Sequence, residues 1–273
     1  MRGEFVEVGG ARLYYYAAGT RGKGEPVILL HGFPSSSHLW RDVVPHLPTG
    51  HRFVISDLLG YGRSDRPGDH DLGIRGHAHR VLGLMDALKI ERAAIVGHDL
   101  GGGIAQHLAV EHADRVSRLA LISSVAFDAW PPRELKMAKG ALAFARRMPA
   151  KPLMNALRRA LKGAYEDEDR GARSVEMYLR PFETPGGKEA LIAHVEALDE
   201  KETMDLAADL KYIDVPTAVI WGAEDPFMPV SVAKKLQKAI AGSTLAILPD
   251  VKHYPPETAP ETVGEMLGAW LKR

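Results

Sequence analysis

No cysteine occurs in the 273-residue chain, which excludes disulfides, thiol nucleophiles and thiolate-bound metals. Net charge is missing too. Lys+Arg 35 match Asp+Glu 35, so nothing draws the chain to nucleic acid or to an anionic membrane surface. No apolar run is long enough to span a bilayer, and Met1-Arg2-Gly3-Glu4-Phe5 lacks the apolar core of a signal peptide. A cytoplasmic protein is the expectation, in keeping with the absent cysteines. Internal repeats and low-complexity tracts are also lacking. His77 and His79 stand two apart and do not share a helix face, so they make no metal pair. What remains is ordinary: 45% hydrophobic and 26% charged residues, enough for a substantial core.

Short apolar runs alternate with helical patterns, which predicts parallel βαβ units. Phe5–Val8 and Arg12–Ala17 form an expected hairpin around Gly9-Gly10. Strands are expected at Pro26–Leu30, Arg52–Ser56, Ala93–Val96, Arg118–Ser123, Thr217–Trp221 and Thr244–Leu248. Helices are expected at Ser35–Leu47, Leu72–Leu88, Ile104–His112, Val230–Ile240 and Ala259–Leu271. From Phe127 to about Ala208 the strands stop. Only helical patterns remain, cut short by Pro131-Pro132, Pro149, Pro152, Pro181 and Pro185. The α/β core is therefore expected at 1–126 and 209–273, with a helical lid at 127–208 between them.

Ala93–Gly103, AAIVGHDLGGG, carries the chemistry. A strand runs through Gly97-His98-Asp99-Leu100-Gly101 into a helix, and small residues two before and two after Asp99 permit a strained turn. Such a turn lifts its central side chain clear of the sheet. A serine there attacks acyl carbon; a carboxylate displaces a leaving group from saturated carbon and becomes an ester. Water must then attack the carboxyl carbon of Asp99, which calls for a general base and an oxyanion hole.

His31-Gly32-Phe33-Pro34, the Gly60–Asp65 loop, Gly97–Gly101, Trp221-Gly222-Ala223-Glu224-Asp225-Pro226 and Lys252-His253-Tyr254 occur in that order. With these pieces the chain resembles the α/β-hydrolase-fold enzymes that use an aspartate nucleophile: epoxide hydrolases, haloalkane dehalogenases and fluoroacetate dehalogenases. The resemblance covers nearly all of the chain outside the lid. It implies a mostly parallel eight-stranded sheet flanked by helices, with the lid inserted after the sixth strand. It also implies Asp99 as nucleophile, Asp225 as orienting acid and His253 as base, with the backbone N–H groups of Phe33 and Leu100 as oxyanion donors. No metal or organic cofactor is implied; the partners are a small apolar organic substrate and water. Other readings stay open, namely Asp99 as a helix cap, Asp225 as an Asx-turn residue and Asp128 as a rival acid.

The leaving group depends on the lid. An epoxide calls for a hydroxyl donor, and the lid holds two tyrosines, Tyr165 and Tyr178. Tyr178-Leu179-Arg180-Pro181-Phe182 resembles the family's tyrosine-bearing lid segment, while His194 falls where many epoxide hydrolases have a second tyrosine. Trp130 is an N–H candidate for a halide or an interdomain packing residue. His98 and His31 flank the site, either as contacts or as structural hydrogen-bonding groups. Met137, Met148 and Met154 are expected to line an apolar pocket or to fill the lid. Leu100 and Phe33 depart from the haloalkane dehalogenase pattern, and Leu100 and Gly103 stand where fluoroacetate dehalogenases, which share the Phe, carry arginines; epoxide opening is therefore the first expectation and haloalkane or haloacid dehalogenation the second. A binding protein that keeps the fold without chemistry, and an esterase relative carrying Asp99, are the further alternatives.

Overall fold

The computed structural model describes residues 3–20 and 24–273. Eight strands form one sheet: β1 (Glu4–Val8), β2 (Ala11–Gly19), β3 (Val27–Leu30), β4 (Arg52–Ser56), β5 (Ala93–His98), β6 (Val116–Ile122), β7 (Thr217–Gly222) and β8 (Thr244–Leu248). Their spatial order is β1-β2-β4-β3-β5-β6-β7-β8. β2 runs antiparallel to β1 and β4, and the strands from β4 to β8 are mutually parallel. Every residue of β3, β5 and β7 is buried. That explains their unbroken apolar spelling, because a parallel strand is covered on both faces. Each such Val, Leu or Ile contributes about 1.5–3 kcal/mol on burial.

The core helices are α1 (Ile74–Ala87) and α2 (Leu100–Glu111), and the helices that follow β6 are α3 (Arg133–Gly140), α4 (Leu142–Ala145), α5 (Ala150–Lys162), α6 (Glu168–Leu179), α7 (Gly187–Ala197) and α8 (Glu200–Leu206). After β7 come α9 (Val230–Ala239), α10 (Pro255–Thr258) and α11 (Pro260–Leu271). The helical insert thus lies between β6 and β7, where the strand pattern lapses. Many of its buried residues, among them Met154, Tyr165, Tyr178 and Phe182, share one apolar cluster with the sheet, while Leu142, Ile192 and Val195 form a second. The insert is packed onto the core, not tethered beside it.

Two expectations change. The Ser35–Leu47 pattern is not one helix but two 3-10 turns, Ser37–Trp40 and Val44–His46. Pro45 has no N–H to continue a helix, and the Ser37 N–H is held 2.7 Å from the buried Asp57 carboxylate instead. The helix after β5 starts at Leu100, four residues ahead of the periodic pattern. Gly101, Gly102 and Gly103 hide that start in propensity terms, and packing against β5 and β6 overrides it.

Candidate active site

The C-terminal ends of the parallel strands deliver three separate segments to one place. Asp99 follows β5 directly, Asp225 comes three residues after β7, and His253 lies in the loop between β8 and α10. Asp99 has φ 52° and ψ −119°, a strained conformation for a non-glycine residue. The turn holds because its neighbours have no side chains. A Cβ on Gly97 would stand 2.2 Å from the Gly101 carbonyl oxygen, and one on Gly101 would stand 2.5 Å from the Leu30 carbonyl oxygen. The Asp99 carbonyl in turn accepts from the N–H groups of Gly102 (2.9 Å) and Val125 (3.1 Å).

Asp99 Oδ1 accepts from the Phe33 N–H at 2.8 Å. The Leu100 N–H also bonds the carboxylate. The Phe33 donor is aimed by His31, whose Nδ1 donates to the Gly32 carbonyl at 2.9 Å while its Nε2 accepts from the Leu58 N–H at 3.0 Å. Asp99 Oδ2 lies 3.7 Å from His253 Nε2, too far for a direct hydrogen bond. On its other side the His253 ring donates from Nδ1 to Asp225 Oδ2 at 2.9 Å. Asp225 Oδ1 is fixed by the N–H groups of Phe227 and Met228, both at 2.9 Å.

Burial raises the Asp99 carboxyl above its ordinary value, against the pull of His253 and the two N–H donors. A poorly solvated carboxylate results, suited to nucleophilic attack. For His253 burial works against the charged form, but the Asp225 charge, its hydrogen bond and the Asp99 charge outweigh it and raise the ring. Burial also opposes the Asp225 charge, yet His253 and the two N–H donors hold that carboxyl below its usual range. The His253 contribution to stability is therefore full below the unfolded histidine value and is lost as pH rises through the raised one. That of Asp225 is present above its unfolded value and is lost as pH falls through the lowered one. Histidine NMR is expected to show the His253 ring titrating above 6.5, with a lower midpoint in Asp99→Ala, where one raising charge is gone. An unmoved midpoint would disconnect the two side chains.

Asp99 and His253 open into a cavity of about 110 Å³ whose other walls are apolar or aromatic, formed by Phe33, Trp130, Pro132, Leu135, Leu157, Ala160, Leu161, Leu198 and Phe227. The insert closes over it. The His253 N–H donates to the Ala164 carbonyl at 3.3 Å, and Lys252 Nζ donates to the Tyr165 carbonyl at 3.1 Å.

Few of the named leaving-group candidates reach the cavity wall. Tyr178 is buried, but its hydroxyl donates to Glu257, away from the cavity wall. Tyr165 is stacked on Tyr254 with ring centres 4.4 Å apart, also outside the lining. His194 packs on Tyr61 at 4.0 Å and is pushed down to about 3 by burial. His98 lies behind the site and donates from Nε2 to the His253 carbonyl at 2.8 Å. Trp130 does line the cavity, yet its Nε1–H is spent on Thr203 Oγ1 at 3.1 Å. Asp128 is exposed and faces Lys235 at 3.7 Å, far from the role of rival acid. Met137 is exposed and Met154 is buried, and neither lines the cavity.

The α/β hydrolase fold family matches residues 25–260. The chain belongs to the α/β-hydrolase family. It is 30% identical to haloalkane dehalogenase 2 of Mycobacterium tuberculosis over 92% of this chain and 88% of that protein. With the AB hydrolase superfamily protein YfhM of Bacillus subtilis it shares 28% identity, across 98% of this chain and 97% of that one. The crystal structure of the enol-lactonase from Burkholderia xenovorans LB400 superposes with a TM-score of 0.84 at 27% identity, covering 99% of this chain and 100% of that chain. In this α/β hydrolase the sequence reasoning missed Glu257 and Phe227. Each stands within four residues of a motif acid or base, and that adjacency is the signal that could have found them.

Proposed function

We propose that this α/β hydrolase works through an ester between Asp99 and a saturated carbon of a small apolar substrate. One observation carries the reading: the Asp99 carboxylate keeps Oδ1 on the Phe33 N–H, with the Leu100 N–H also bonding the carboxylate, and turns Oδ2 toward His253 and the cavity. In the first step Oδ2 attacks the carbon, and the leaving group departs with the bonding electrons. In the second step His253 takes a proton from water, and the hydroxide attacks the Asp99 carboxyl carbon. The charge then developing on Oδ1 falls where the Phe33 N–H already points, and as that intermediate collapses the bond from the carboxyl carbon to Oδ2 breaks and the product alcohol leaves with the proton held by His253. Asp225 keeps Nδ1 protonated and the ring in place, as an orienting carboxylate does.

The leaving group follows from what faces the cavity. Epoxide opening places a proton on an oxygen, and the hydroxyl first expected to help, that of Tyr178, is turned to Glu257. Halide departs without a proton. Dehalogenation therefore moves ahead of epoxide opening, and the haloalkane dehalogenase relative supports that order. Because the Trp130 N–H is engaged, a departing halide finds a mostly apolar wall, where a small, strongly hydrated anion is costly. Halide-release assays on a matched series of primary alkyl halides should rank iodide above bromide above chloride, with no fluoride released. Fluoride release, or release equal across the series, would contradict this leaving-group reading.

A further inference from the structure

A second concavity, about 600 Å³, opens between the core loop that follows β4 and the insert around the end of α6. Its walls carry four arginines, Arg41, Arg63, Arg66 and Arg180. Only Arg41 is matched by acids, Glu257 and Asp42, each at 3.3 Å. Arg63 spends Nη1 on the Tyr14 hydroxyl at 2.6 Å, and Arg66 spends Nη2 on the Pro181 carbonyl and the Thr184 hydroxyl. Among the described residues no ion pair joins Arg63, Arg66 or Arg180 to a carboxylate. Elsewhere in this charge-balanced chain, arginines sit beside acids, as Arg118 does with Glu25, Arg146 with Glu196 and Arg158 with Glu176.

The one carboxylate in the cleft, Asp57, offsets at most one of these charges. Asp57 is buried and satisfied by the N–H groups of Ser37 (2.7 Å) and Arg63 (2.8 Å). His38, on the same wall, is pushed down to about 4 by burial and then by Arg41, so it adds no charge near neutrality. A concavity of this size with three guanidinium groups outside any ion pair and a single carboxylate keeps a net positive charge, and it fits a ligand of opposite sign, because guanidinium forks match phosphate and carboxylate oxygens.

We propose that this cleft binds a small molecule carrying two or more anionic oxygen groups, a phosphate ester or a polycarboxylate. Its charges are shared between Arg63 and Arg66 on the core and Arg180 on the insert. Such a ligand bridges the two parts, as Arg66 already does through Pro181 and Thr184. The site is separate from the Asp99 cavity and does not depend on its chemistry.

The test is calorimetric titration of inorganic pyrophosphate and of citrate into the wild type and into a double variant, Arg63→Gln with Arg180→Glu. Both side chains are exposed, and the double variant is expected to keep the wild-type melting temperature without ligand. The proposal expects saturable one-to-one binding of at least one probe, weakened roughly ten- to hundredfold in the variant. It also expects a ligand-dependent rise in the wild-type melting temperature that the variant lacks. Pyrophosphate binding alone marks a phosphate ester as the natural ligand, and citrate binding alone marks a polycarboxylate. No saturable binding of either probe to the wild type, or equal affinity in the variant, overturns the proposal.

Discussion

Replacing Asp99 with alanine is expected to lower turnover on the order of 10⁴- to 10⁶-fold, the range seen when a covalent nucleophile is removed. Folding should survive. The substitution deletes a buried carboxylate whose ionised form burial disfavours, so the melting temperature should hold or rise, as often happens when an active site gives up a costly group. The two measurements belong together: steady-state rates on the alkyl halide series and a thermal unfolding curve. A loss of both activity and folding would mean that Asp99 is chiefly a structural residue. Undiminished activity in a folded variant would remove the alkyl-enzyme ester from the account.

The second large effect is structural and is expected at Glu257. This side chain is fully buried on α10 and accepts hydrogen bonds from the Tyr178 and Ser174 hydroxyls of α6. Arg41, in the segment before β4, lies 3.3 Å from its carboxylate. Three elements thus meet on one buried acid: the residue that caps the Ser37–Trp40 turn of the core, the helix after His253, and the insert. Glu257→Ala leaves a half-buried guanidinium without its main partner, a change that typically costs about 3–5 kcal/mol. At this chain length that predicts a fall in melting temperature on the order of 10 °C. Tyr178→Phe removes one bond and leaves the ion pair, so it should cost about 1.5–3 kcal/mol. Thermal unfolding of the two variants checks the order. If Tyr178→Phe costs more than Glu257→Ala, the acid is not the centre of the contact.

The same pair shows which features are readable in a sequence and which are not. The elbow was legible because its determinants are local. A strand, two flanking small residues and a helix lie within eleven positions, and steric exclusion at Gly97 and Gly101 enforces the turn. Asp225 and His253 were legible because each closely follows an apolar strand, and parallel strands bring their C-terminal ends to one edge. The helical insert was legible as a lapse in strand alternation. Tyr178 was not readable in the same way. Its segment is recognisable, but where the hydroxyl points is decided by Glu257, 79 positions away in the chain. Trp130 likewise lost its free N–H to Thr203, 73 positions away. The segment from Ser35 to Leu47 had helical spacing, yet Pro45 and the pull of Asp57 on the Ser37 N–H gave two short turns. Leaving-group chemistry was therefore harder to read than the triad, because it rests on side-chain directions set by distant partners.

On the mechanism proposed above, Asp99 becomes covalently joined to the substrate carbon and His253 is needed only to release it. The most direct measurement is the intact mass of the His253→Gln variant after exposure to primary alkyl bromides and, separately, to terminal epoxides. A mass increase equal to the alkyl group without its halide is expected, mapped by peptide analysis to Asp99. A variant that takes up a whole epoxide instead would keep the ester and reverse the choice of leaving group. Absence of any adduct on Asp99 from either class, while the wild type turns the same substrates over, would contradict the covalent mechanism.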